Sequence, residues 1–318
     1  MYYLAGTAKT LLPALMFVST GFLGLDRAKF FQLRYAMGPT STPPLASLSS
    51  RPPAKVGQAL ADILTPSLIV KEGALAYNLA RVHDAIKGNG TPAAVRPHGK
   101  AHKCVALARR QVESGCVGVC AAKIGEAEMF LHGGIKDVLL TNQMVGQNSA
   151  DRYAQMVARH RDAKVAVCVD SEEGVQELSS AASKFDVALN VLVEVNVGQD
   201  RGGVEAEGAL NLALSILRAA PSVEGGAGLL LAGVQGYMGL NQHVRTRKAR
   251  DAASAKVAEI LRGVVSNLEA NGVRVSSVTG AGTGTFQGEA LQVGCSWCQS
   301  VLPLLHTFVQ RHPATPSP

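Results

Sequence analysis

The chain has 318 residues, 47% hydrophobic and 17% charged, a globular composition with ample apolar material for a core. Its formal net charge of +7 is scattered, with one modest cluster at HVRTRKAR (243–250), and aromatic residues make up only 5%. No basic stripe interleaved with aromatics marks a nucleic-acid surface, whereas a basic balance suits a pocket for phosphates or carboxylates.

Residues 1–62 stand apart. They hold several basic residues and two acids, Asp26 and Asp62. LLPALMFVSTGFLGL (11–25) is apolar but interrupted by Pro13 and short for a transmembrane helix, so no stable membrane span is expected. GPTSTPPLASLSSRPP (38–53) is a Pro/Ser-rich linker without core-forming residues. A basic, acid-poor, Ser-containing leader reads as a targeting segment for an organelle, mitochondrion or plastid. The alternatives are a signal anchor or a misplaced start, with a cytoplasmic protein as the remaining case.

From about residue 65 strands and helices alternate. Strands are expected at 66–70, 93–97, 116–120, 137–141, 163–170, 190–197, 228–238, 273–280 and 289–294. Helices are expected at 72–88, 102–115, 123–134, 149–160, 171–184, 206–220 and 247–272. The strands are continuous Val/Leu/Ala runs, which indicates burial on both faces and hence a parallel sheet. Strict βα alternation at a period of roughly 25 residues predicts an α/β fold of the (β/α)8 TIM-barrel type. The barrel is placed at 63–294, and 295–318 is read as an irregular tail.

In such a barrel, chemistry collects at the C-terminal ends of the strands. His98, Gly99 and Lys100 follow the strand at 93–97, Asn142 that at 137–141, and Asp170 that at 163–169. Arg201 follows 190–197, Tyr237 and then His243 follow 228–236, and the glycine-rich TGAGTGT (279–285) follows the strand near 273–279. The glycine-rich stretch comes too late in the chain for a dinucleotide fingerprint. It is either a phosphate cradle of backbone N–H groups, as late barrel loops commonly provide, or a plain turn. A rim lysine beside a phosphate cradle suggests pyridoxal phosphate, whose aldehyde needs an amine and whose phosphate needs a nest of donors. Lys103 falls within the following helix and reads as a surface lysine. His98 and His102 either position the cofactor or are structural. The six cysteines, at 104, 116, 120, 168, 295 and 298, are expected to be mostly buried and reduced.

RPHGKAHKC (96–104), VCVDS (167–171), LVEVNVGQDRGGV (192–204), VQGYMGLNQHVRTR (234–247) and VTGAGTGT (278–285), in this order, resemble the D-threonine aldolase group of the alanine racemase-like (fold type III) pyridoxal-phosphate enzymes. D-serine dehydratases are close relatives within that group. The resemblance runs from about residue 64 to 294. It implies a barrel of the alanine racemase N-terminal type, pyridoxal 5'-phosphate as cofactor, and retro-aldol cleavage of D-threonine or related D-3-hydroxy amino acids to glycine and an aldehyde. D-serine dehydration, or a catalytically inert cofactor-binding barrel, is the alternative.

By the same resemblance, Lys100 carries the cofactor and Arg201 faces its pyridine nitrogen. Tyr237, Gly282 and Thr283 serve its phosphate, His98 flanks it, and His243 helps to deprotonate the substrate hydroxyl. The family also uses Mn²⁺ or Zn²⁺, held by a His-x-Asp or His-x-Cys pair in a C-terminal β domain. After LQVG this chain continues CSWCQSVLPLLHTFVQRHPATPSP, which does not resemble that domain. Neither His306 nor His312 has an acid or cysteine two residues on, so no metal ligands are assigned. Met238 departs from the histidine that often follows the tyrosine. A homodimer is possible on the same analogy.

Overall fold

The valine- and leucine-rich runs pair side by side as parallel strands. A computed structural model of the chain describes residues 54–64, 67–88, 93–293 and 297–300. The proposed leader and linker therefore lie almost wholly outside the described residues, as do 301–318 of the expected tail. The chain divides into residues 1–69, whose described part holds a short 3₁₀ turn at Leu60–Asp62, and residues 70–318.

The second unit carries strands β1 (Ala94–Pro97), β2 (Val119–Ala121), β3 (Asp137–Gln143), β4 (Lys164–Val169), β5 (Ala188–Glu194), β6 (Gly228–Gly236), β7 (Val278–Gly280) and β8 (Trp297–Ser300). Its helices are α1 (Glu72–Lys87), α2 (Val105–Glu113), α3 (Ile124–His132), α4 (Gln147–Arg159), α5 (Glu172–Phe185), α6 (Ala209–Arg218), α7 (Arg247–Ala270) and α8 (Phe286–Val293). β2 to β7 form one parallel sheet in chain order, and β1 pairs in parallel with β8. A parallel bridge from His98 to Cys120, and a hydrogen bond from the Val117 N–H to the Val95 carbonyl (3.0 Å), join β1 to β2. β8 lies beside β7. The strands thus follow one another around a (β/α)8-type barrel, as expected.

Both faces of the sheet are buried. Val138, Leu140, Val165, Val167, Val191 and Val193 point to the helices, while Cys120, Leu139, Ala166, Cys168 and Leu192 form a second cluster on the opposite face. That alternation of two apolar sets is why the strands read as unbroken apolar runs. Helix starts follow local capping. Ser171 accepts from the Gly174 N–H (3.1 Å) ahead of α5, and Thr246 accepts from the Ala249 N–H (3.3 Å) ahead of α7.

Three expectations are corrected. Residues 67–70 join no sheet among the described residues, and Leu68, Ile69 and Val70 are exposed. Of the segment expected as a strand at 289–294, the described residues, 289–293, belong to α8. The Gly282 carbonyl accepts from the N–H groups of Thr285 and Phe286, which starts a helical turn, and Glu-Ala-Leu-Gln are good helix formers. The eighth strand lies instead at Trp297–Ser300, within the stretch read as an irregular tail, so the sheet extends past residue 294.

Candidate active site

β1 ends in Pro97, and the chain turns through His98 into a 3₁₀ turn, Gly99–Ala101, that carries Lys100. The turn is set from below. A Cβ on Gly99 would lie 2.2 Å from Cζ of Phe130, a fully buried residue of α3, so only glycine lets the turn sit this low. From the side, the Lys100 N–H donates to Nδ1 of His98 (3.3 Å), and Nε2 of His98 pairs with Oγ1 of Thr141 at the end of β3 (3.2 Å). Burial, aided by the Lys100 charge, lowers the His98 pKa to about 3, so the ring is neutral. With Nδ1 accepting, Nε2 carries the proton and donates to Thr141, whose hydroxyl reaches the Ala121 carbonyl (3.3 Å).

Lys100 faces a cavity lined by His98, Thr141, Asn142, Arg201, Gln235 and Tyr237, together with Ala122 and Ala281. Burial and the neighbouring Arg201 charge lower the Lys100 pKa, against the partial opposition of Cys120 and Glu126. Lys103 differs on each count. It is exposed, pairs with Glu126 at 3.3 Å, and precedes α2 at a left-handed φ of 47° instead of lying inside the helix. His102 is structural: its ring pairs with Gln111 (3.2 Å), accepts from the Cys104 N–H (3.0 Å) and stands edge-on to Phe130.

Arg201 comes from the loop after β5, which is fixed by its own polar groups. Asn196 accepts on Oδ1 from the N–H groups of Gly198 and Asp200 and donates to Asp200 and Glu205, while the Gly203 N–H donates to Asp170 (3.0 Å). Gly203 stands at φ 102°, with backbone atoms of Asn196 2.5 Å from where a Cβ would be. The Arg201 guanidinium lies over the Tyr237 ring, 5.5 Å from its centroid. Burial raises the Tyr237 pKa, with Arg201 opposing, so the phenol keeps its proton.

Four expected residues, His98, Lys100, Arg201 and Tyr237, therefore share one cavity. The glycine-rich turn reaches it through Ala281; Gly282 and Thr283 are not among the lining residues. Gly282 packs against the Gln242 amide, which a Cβ there would approach to 2.5 Å, and the Gly284 N–H donates to Gln242 Oε1 (2.6 Å). His243 is not brought to Lys100. It ends the 3₁₀ turn Gly239–His243 and lines a separate recess with Gln242, Val244, Arg245 and Arg250.

The structure adds residues that strand-end reading missed. Gln235 is buried on β6 and accepts from Thr279 (3.3 Å). Glu194, buried at the end of β5, takes a bond from Gln143 Nε2 (2.8 Å), and burial raises its pKa, with Arg201 opposing. The signal for both was a polar residue inside an apolar run, VLVEV and GVQGYM. Among the described residues, no group of three or more His, Cys, Asp or Glu could hold a metal ion, and no helix is long and apolar enough to cross a membrane.

Comparison with known proteins points the same way. The alanine racemase N-terminal domain family matches residues 70–299. The chain is 36% identical over 239 residues to a D-threonine aldolase of an Arthrobacter species, covering 75% of this chain and 60% of that one. It is 38% identical over 243 residues to a 3-hydroxy-D-aspartate aldolase of Paracoccus denitrificans, covering 75% and 59%. The crystal structure of D-threonine aldolase from Filomicrobium marinum superposes with a TM-score of 0.69 at 36% identity, over 76% of this chain and 62% of that one. The chain thus spans about three-fifths of the length of these relatives.

Proposed function

The chain belongs to the alanine racemase N-terminal domain family, and from that premise we propose that it is a pyridoxal-phosphate lyase cleaving D-threonine and related D-3-hydroxy amino acids to glycine and an aldehyde. The observation that carries this reading is Lys100. It is the one lysine among the residues lining a cavity shared with Tyr237 and the edge of a glycine-rich turn, and its pKa is lowered by burial and by Arg201.

The residues fit the cofactor. Lys100 supplies the amine for the aldehyde. Gly280 and Gly282 pack too closely for side chains, since their Cβ atoms would meet the Gly236 carbonyl oxygen at 2.3 Å and the Gln242 amide at 2.5 Å, and this holds the turn at the edge of the cavity through Ala281. The Tyr237 hydroxyl is a donor suited to a phosphate, and Arg201 is a permanent cation beside the lysine. When bound, the cofactor draws off the electrons released as the Cα–Cβ bond breaks.

The chain's own groups prepare that step. The lowered pKa keeps more of Lys100 as free amine at neutral pH, which is the form that attacks an aldehyde. His98, neutral, fixes the lysine turn without adding a second cation. Thr141 and Asn142 present polar edges to the cavity, fit to orient a substrate carboxylate or hydroxyl. His243 lines a different recess, so no proton transfer is assigned to it. The described residues do not fit a metal site, and no step is routed through one.

The test is direct. Full-length protein with pyridoxal phosphate and Mn²⁺ should release acetaldehyde from D-threonine, or glyoxylate from 3-hydroxy-D-aspartate. Cofactor bound at Lys100 with no aldehyde product would overturn the lyase reading and favour a cofactor-binding barrel. Pyruvate from D-serine without aldehyde would replace it with β-elimination. The basic, acid-poor stretch 1–62 supports an organellar address, which a reporter fused to it would test.

A further inference from the structure

Beneath the glycine-rich turn lies a carboxyl group that this reading does not use. Glu289 on α8 is 2% exposed. Its carboxyl takes hydrogen bonds from the Thr285 hydroxyl and the Ala281 N–H, while Oε1 has no partner. Both donors belong to the turn. Ala281 stands at φ 68°, a left-handed conformation costly for an alanine, so the bond to its N–H holds strained backbone in place. The Thr285 hydroxyl accepts from the Gly282 N–H (3.1 Å) and from Gln242 Nε2 (3.0 Å). One carboxyl therefore anchors, directly or through Thr285, the turn from 281 to 285 and the side chain of Gln242.

We propose that Glu289 is the positioning residue of this turn: its carboxyl holds the backbone in the shape that receives the cofactor's phosphate, and it takes up a proton when that phosphate binds. The inference rests on the cofactor reading above. A carboxylate directly behind a phosphate dianion is repelled by it, and a carboxylic acid is not. Burial pushes the Glu289 pKa up to about 7, so both forms are populated near neutrality. Phosphate binding shifts the balance to the acid, and affinity falls as pH rises through that value. The titratable groups nearby are few. Tyr237 approaches from the end of β6, and Asp251 on α7 lies 3.2 Å from where a Cβ on Gly288 would be. Among the described residues, α1 and β7 contribute no group to the shift.

Dissociation constants of pyridoxal 5'-phosphate and of pyridoxal, which lacks the phosphate, test this on full-length wild type, Glu289→Gln and Glu289→Ala. Glu289→Gln keeps an acceptor for Ala281 and Thr285 but cannot titrate. Between about pH 6 and about pH 8, wild-type affinity for pyridoxal phosphate should fall by roughly tenfold relative to that of Glu289→Gln. The phosphate's own ionisation is common to both proteins and cancels. Glu289→Ala should lose about tenfold or more in affinity for pyridoxal phosphate, with pyridoxal affinity unchanged. Parallel pH profiles for wild type and Glu289→Gln, or equal losses for both ligands in Glu289→Ala, would overturn the proposal while leaving the cofactor reading standing. A wild type that binds no pyridoxal phosphate would overturn both.

Discussion

The backbone N–H of Lys100 donates to Nδ1 of His98, 3.3 Å away, so the candidate cofactor lysine is held by a ring that must stay neutral. The His98 pKa falls from 6.5 to about 3, chiefly through burial. A base whose folded pKa lies below its unfolded one stabilises the fold fully above the unfolded value, and that contribution is lost as pH falls toward the folded one. Stability should therefore decline between pH 6.5 and about 3, by on the order of 4 kcal/mol from this residue. Urea unfolding across that range should show the slope, and His98→Asn should flatten it. An unchanged slope in the variant would assign it to other groups, His102 first, whose pKa burial also lowers.

Gly99→Ala should be among the most damaging single-methyl changes in the barrel. The new carbon meets Cζ and Cε2 of Phe130 at 2.2 and 2.4 Å, in a fully packed position. Overpacking of this kind costs about 1–3 kcal/mol, and the turn carrying Lys100 must shift to relieve it. Thermal unfolding should register the loss, and cofactor capture should fall with it. Adding Phe130→Leu should restore part of both; no restoration would mean that the contact is not the cause.

Arg201→Leu removes the cation that helps to lower the Lys100 pKa. The amine's titration should then move to higher pH, and the rate of cofactor capture at neutral pH should drop while its alkaline plateau persists. A pH–rate profile reads this out. An unmoved midpoint would show that burial alone sets the lysine.

Lys103→Ala should cost less than about 1 kcal/mol, because it breaks an ion pair whose lysine side chain is 60% exposed. Cofactor binding should be unchanged. That outcome would separate the two lysines of GKAHK by function as well as by place.

Lys100, Arg201, Tyr237 and His98 were legible because a barrel's strand ends can be counted in the sequence, and each of the four follows an apolar run. Gly282, Thr283 and His243 also follow strands, but loop conformation decides their direction. There Gly282 turns to Gln242, and His243 lines its own recess beside Arg245 and Arg250. Gln235, Glu194 and Glu289 went unread because their roles depend on what packs behind the site, which spacing along the chain does not encode. The same limit explains the barrel's last turns. A five- to six-residue apolar run fits a strand or a buried helix equally well by pattern, and only the turn chemistry at 282–286 makes 286–293 a helix.

Borohydride reduction of the full-length protein with pyridoxal phosphate, followed by peptide mapping, decides whether Lys100 carries the cofactor. One stoichiometric pyridoxyl label is expected, on Lys100, absent from Lys100→Ala and unaffected in Lys103→Ala. A label on Lys103, a label spread over several lysines, or no label at saturating cofactor would contradict it.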